Sequence, residues 1–232
     1  MLDFFKRTGP SSIDAVEELL VQMLRDGKAV YDAASAAVFG GGKSKETKRE
    51  VKTTDRGINA AQRDVRRALM MHSSVTGTLD LALVLTYMSV VKDAERIGDY
   101  AKNMYDLAKY GANFEESVDR DQLEEHREIV GSLIDKAADV FAARDAGAAQ
   151  ALIARGDQVL DGCDTNIRAA YNSEGLASDA VARALFYRYL KRITAHVMNL
   201  MTALVLPVDQ LDYYDEAVDD RDDDSPIAED DE

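Results

Sequence analysis

The sequence is poor in the residues that staple, kink or carry a chain through a membrane. Of 232 residues one is Cys, three are Pro, three are His and none is Trp. A lone thiol, Cys163, cannot close an internal disulfide, so a stapled secreted scaffold is excluded and a reducing compartment is the default. So few His and Cys side chains leave little for a soft metal site. The longest apolar stretch, residues 81–91, ends at Lys92 and Asp93 and falls far short of the ~20 residues a membrane-spanning helix needs. Residues 1–7 lack the apolar core of a signal peptide, so the chain reads as cytoplasmic with no transmembrane segment. No stretch alternates apolar and polar residues as a half-buried strand would.

What is present is a 46% apolar, 31% charged chain, enough apolar material for a core. The formal net charge of -15 is unevenly placed. Residues 207–232 hold 13 acids and one base, a charge of -12, whereas residues 1–206 carry only -3. The terminal segment is expected to be a disordered acidic tail, since it cannot bury enough apolar area to order itself. Its charge also disfavours nucleic acid as a partner. The opposite sign gathers in residues 43–67, with nine bases against four acids. These bases are read chiefly as neutralising nearby acids, with docking of the acidic tail upon them as a sharper alternative.

The three prolines, at 10, 207 and 226, leave almost two hundred residues free of helix breakers. Long helices follow, and the periodicity agrees. Ile13, Val16, Leu20, Met23, Val30, Ala34 and Ala37 recur at helical steps before Gly40-Gly41-Gly42. A polar helix is expected over residues 44–72, then a turn over 73–78. Leu83, Tyr87, Val90, Ala94, Ile97, Ala101, Met104 and Ala108 mark the seam of a third helix. Turn residues over 111–119 precede three more seams: Leu123 to Val140, Leu152 to Ala170, and Phe186 to Leu204. The fold class is therefore all-α, with six long helices.

The two sets of three helices resemble copies of one another. Ile97, Ala101, Asn103 and Met104 fall on Ile193, Val197, Asn199 and Leu200 at an offset of 96. Asp55, Asn59, Val65 and Arg66 fall on Asp157, Asp161, Ile167 and Arg168 at an offset of 102. Two tandem three-helix bundles are expected, over residues 1–114 and 115–206, followed by the tail from 207 to 232.

Few constellations could carry chemistry. Glu95 and Asp99 stand four apart, so both carboxylates leave one face of the third helix as hard oxygen ligands. The plainer reading is that Lys92, Arg96, Lys102 or an arginine of the adjacent helix neutralises them. A ferritin-type dimetal site is excluded, because Leu69, Leu123 and Ile193 stand three residues before His72, His126 and His196 where Glu is required. Gly41-Gly42-Lys43-Ser44 is not a phosphate-binding loop, since position 37 is Ala and a helix precedes it. Cys163, His126 and His196 lie on or beside apolar seams and read as core or interface residues. No catalytic residue is expected.

Glu95-Arg96-Ile97-Gly98-Asp99 on a long helix resembles the ERIGD segment of the PhoU family of phosphate-signalling proteins. Asp55-Arg56-Gly57-Ile58-Asn59 on the preceding helix resembles that family's Asp-x-x-Ile-Asn segment. The resemblance spans residues 12–206 in architecture but is specific only in the first unit. It implies a PhoU-like fold and a non-enzymatic cytoplasmic regulator of phosphate uptake or signalling, a homodimer. Such a protein would dock on a phosphate transporter or sensor kinase, at the inner face of the membrane. It also implies a divalent metal or iron at Glu95, Asp99, Asp55 and Asn59 in the first unit, and at Asp157 and Asp161, with Asp164 nearby, in the second.

The second set departs from the pattern. The positions matching Glu95 and Asp99 are Lys191 and Ala195, so Lys191 is expected to pair with Asp157 or Asp161 in place of a metal. Residues 71–81 also lack the Gln-Pro and Asp-Leu-Arg features that many members show. The alternatives are an accessory subunit of a low-affinity phosphate permease, or a generic helical adaptor with no phosphate role.

Overall fold

A chain without internal proline can keep its backbone hydrogen bonds over many turns, and this one does. The computed structural model describes residues 12–40 and 45–212. Among them are six α-helices and no strand: α1 Ser12–Val38, α2 Lys45–Thr76, α3 Leu81–Lys109, α4 Arg120–Ala143, α5 Ala146–Tyr171 and α6 Ala177–Thr202. The turn expected over residues 73–78 comes later, because α2 runs on to Thr76 and reverses at Gly77, whose φ of 62° suits a residue without a side chain. Asp145 starts α5 by accepting a hydrogen bond from the Ala148 amide, the ordinary way an N-cap satisfies a free donor.

α1, α2 and α3 pack on one another, as do α4, α5 and α6. The two sets meet along α3 with α6 and α1 with α4. α3 and α6 run antiparallel: Asp93 lies beside Asn199, and Tyr100 beside Arg192. A groove at the other end is lined by Leu107, Tyr110 and Gly111 on one side and by Asp179, Ala182 and Leu185 on the other.

The seams read from the sequence point inward with few exceptions. In α1 all seven seam residues are buried, and in α3 all but Leu83, which is exposed while its neighbour Val84 takes the inner position. One hydrophobic core runs through both sets of helices without a break.

The loop after α3 contributes more than a turn. Phe114, within the stretch expected to be only a connection, is fully buried, and its amide donates to the carbonyl of Val38 at 2.7 Å. Its ring meets Phe39 and Phe186 edge-on, with centroids 5.7 and 5.2 Å away, a favoured aromatic geometry. Elsewhere the sets are joined by polar contacts. Tyr31 of α1 donates to the carbonyl of Arg127 at 2.7 Å, and Lys28 reaches both Asp32 of its own helix and Asp135 of α4. Arg144, at the end of α4, reaches back to Asp14 and Glu17 of α1, and Glu17 also accepts from the Tyr87 hydroxyl of α3.

Residues 207–212, expected to open the acidic tail, lie against the body. After Pro207 a short 3-10 turn, Val208–Gln210, packs against α3. Burial and the nearby carboxylate of Asp93 raise the carboxyl pKa of Asp212, against a smaller lowering by His196. The expected disorder of the tail beyond Asp212, and its docking on the basic segment, lie outside the described residues.

Candidate functional site

The acidic positions singled out in the first unit sit where α2 and α3 run side by side. Close contact is possible there because α3 carries Gly98: a Cβ at that position would stand 2.8 Å from Cδ1 of Ile58 on α2. The ERIGD glycine is thus a packing residue. It brings Asp55 of α2 within range of Asp99 of α3.

What lies between these two carboxylates is a lysine. Nζ of Lys102 stands 3.0 Å from Oδ1 of Asp55 and 3.2 Å from Oδ1 of Asp99. Desolvation works against its charge, but the hydrogen bonds and fields of Asp55 and Asp99 outweigh it and hold the Lys102 pKa above the ordinary lysine value. Arg96 adds a longer contact to Asp99, at 3.9 Å. Glu95 is buried and paired with Lys92. Asn59 turns its amide back to donate to the carbonyl of Asp55, at 2.9 Å.

In the second unit Asp157 is partly buried and Asp161 is exposed on α5. Lys191, at the position matching Glu95, is buried and donates to Asp164 at 2.7 Å, one turn beyond Asp161. Lys191 is thus paired with an acid of α5, and the acceptor is Asp164 where the sequence pointed to Asp157 or Asp161.

These donors do not fit the metal that the resemblance implied. Among the described residues no three His, Cys, Asp or Glu side chains come together as a ready-made ion site. The carboxylates that do approach one another already share a cation.

A second polar cluster was only half legible. At the α3–α6 contact Asp93 is buried and accepts from Nδ1 of His196 at 2.8 Å and from Nδ2 of Asn199 at 2.9 Å. The other ring nitrogen of His196 is buried without a hydrogen-bond partner, and its ring stacks on Tyr100 at 5.6 Å. The expectation of His196 as a core or interface residue matches this burial. Asp93 carried no such signal, since an acid next to Lys92 reads as a solvated charge until α6 is known to cover it. Cys163, expected to be a buried structural thiol, is fully buried, and desolvation pushes its pKa up to about 12. His126 is partly buried in α4, bonded to the Gln122 carbonyl and close to Asn166.

The arrangement is that of a helical body whose polar groups hold helices in register. Residues 20–108 match the PhoU domain family. The six-helix body superposes on the crystal structure of PhoU from Pseudomonas aeruginosa with a TM-score of 0.71 at 20% identity, covering 84% of this chain and 95% of that one. It superposes on the phosphate transport system regulatory protein PhoU from Streptococcus pneumoniae with a TM-score of 0.68 at 20% identity and the same coverage. The sequence has no match among curated proteins. The match to the PhoU domain is confined to the first unit, and the fold of the whole body is that of the solved PhoU structures. No helix among the described residues is long and apolar enough to cross a membrane.

Proposed function

We propose that the protein is a non-enzymatic, cytoplasmic regulator of phosphate uptake or phosphate signalling that acts by docking on a phosphate transporter or its sensor kinase. The observation that carries this reading is the PhoU domain over residues 20–108, set in a body with the fold of a protein described as a phosphate transport regulator. The polar clusters support it in a general way. Carboxylates held by lysines and a buried His–Asp pair suit the fixing of helices rather than the turnover of a substrate.

The surface best suited to docking is the turn between α2 and α3. Residues 68–91 carry a single formal charge, Asp80, and within them Met70, Val75, Leu79, Leu81 and Leu85 are exposed. Exposed apolar side chains gathered in this way mark interaction surfaces more often than bare solvent faces. Arg63, Arg66 and Arg67 stand exposed just before this stretch, so the turn offers an apolar end with a basic collar. A homodimer belongs to the same reading, and sedimentation of the full chain measures it.

Deleting the gene and measuring phosphate uptake and a phosphate-starvation reporter under phosphate excess tests the proposal. Loss of repression in either is expected; a strain unchanged in both removes the regulatory reading. Co-purification identifies the partner. Recovery of a low-affinity permease alone moves the assignment to an accessory subunit. Binding that persists without any phosphate phenotype moves it to a generic adaptor.

A further inference from the structure

The carboxylates offered by α2 and α3 make an unstable pair by themselves. Two like charges facing each other across a helix contact repel, and partial burial strengthens the repulsion. Asp55 is nearly buried and Asp99 partly so, and a cation between them relieves that repulsion. Lys102 occupies that place, with its ammonium hydrogen-bonded to both. Three features make it a permanent occupant. Its Cα is fixed on α3 one turn from Asp99, so the charge cannot diffuse away. Its local concentration is set by the fold rather than by supply. Finally, Arg96 adds a second positive charge near Asp99, so a divalent ion approaching the pair would meet like charges.

The second unit arrives at the same solution from another position. There the lysine is Lys191, at the register of Glu95, and its acceptor is Asp164 on α5. Lys191 is itself buried, an arrangement tolerated only when the charge is paired.

We infer that Lys102 is the resident cation of the Asp55–Asp99 pair, doing internally what a divalent metal would otherwise do, and that Lys191 serves likewise in the second unit. The α2–α3 contact is then independent of metal supply, and the lysine is what keeps metal out. This inference stands on the geometry of the pair and does not rest on the proposed phosphate role.

The test uses the full chain and its variants Asp55→Asn/Asp99→Asn, Lys102→Met and Lys102→Met/Asp99→Asn. Metal is measured by elemental analysis of the purified proteins and by Mn²⁺ titration followed through the resonance of the free ion. Wild type and the double Asn variant are expected to carry the same metal content, because no ion depends on these carboxylates. Lys102→Met is expected to gain a saturable site for about one Mn²⁺, held by the two carboxylates freed of their lysine with water completing its shell, and the gain should vanish in Lys102→Met/Asp99→Asn. Lys102→Gln takes the place of the Met variant if that one loses its helical circular dichroism. Metal in the wild type that the double Asn variant loses would overturn the inference, and so would a lysine variant that gains no site.

Discussion

Asp93 is the side chain on which the α3–α6 contact turns. Its Oδ1 accepts from His196, which is buried, and from Asn199, which is partly so. Removing this acceptor leaves the buried Nδ1 of His196 desolvated without its partner, which costs more than the bond itself contributed. Asp93→Ala is expected to destabilise the protein by about 3 kcal/mol in denaturant unfolding, within the range for breaking buried charged networks, with Asp93→Asn closer to wild type because it still offers a carbonyl oxygen. A second expectation concerns Cys163. With its pKa pushed up to about 12 by burial, it has almost no thiolate at neutral pH, so a thiol reagent should modify it only at the rate of unfolding. Fast labelling of the native chain would contradict that. At this scale the sequence supplied residue types and helix faces but not partners across helices. It named Lys102 among candidate neutralisers because the lysine is three residues from Asp99. It could not single out Asp93, whose partners lie more than a hundred residues away.

Helix contacts in this fold are set by small residues as much as by large ones. A Cβ on Gly156 of α5 would stand 2.5 Å from Sδ and 2.6 Å from Cγ of Met198 on α6, whose side chain would have to shift within the core that buries it. Gly57 in the exposed part of α2 has nothing within 4 Å. Ala is favoured over Gly in a helix by about 1 kcal/mol, and overpacking costs about 1–3 kcal/mol. Gly156→Ala is therefore expected to lower stability by about 1–2 kcal/mol, and Gly57→Ala to raise it by about 0.5–1 kcal/mol. Thermal unfolding of the two variants decides the comparison.

The α2–α3 pair also predicts a response to alkali. Asp55 and Asp99 raise the Lys102 pKa, so its share of stability is full below about pH 10.4, the unfolded value, and disappears as pH climbs through the folded one. Buried tyrosines such as Tyr87, held above their ordinary value chiefly by desolvation and by Glu17, act in the same direction. The difference between wild type and Lys102→Met isolates the lysine: their urea midpoints should converge between about pH 10 and 12. A constant gap would show that the lysine contributes through its stem alone. Helix seams were the most legible feature at this scale, since every step of three or four keeps a residue on one face. Helix ends were less so, because Ser74 and Thr76 suit a turn yet their hydroxyls donate to carbonyls within α2.

The body as a whole is expected to unfold as one unit. The core runs through both sets of helices, and Phe114 joins the end of α1 to α6, touching Phe39 and Phe186. Phe114→Ala should cost about 3–5 kcal/mol and lower a single unfolding transition, seen alike by calorimetry and by circular dichroism. Two separate transitions would show that the sets are independent. The count of six helices was legible from spacing and turn residues. The joining of the sets was not, because Phe114 sits among Gly111, Asn113 and Ser117, residues that speak only of a loop.

The antiparallel course of α3 and α6 places the α2–α3 turn at one pole of the molecule and the α5–α6 turn at the other. Leu79 and Leu81 stand bare at the first pole, Tyr171 and Leu176 at the second. At 1.5 Å per residue, helices of this length set the poles about 40 Å apart. Anything gripped at one pole is kept at that distance from anything gripped at the other, so the molecule has the form of a strut.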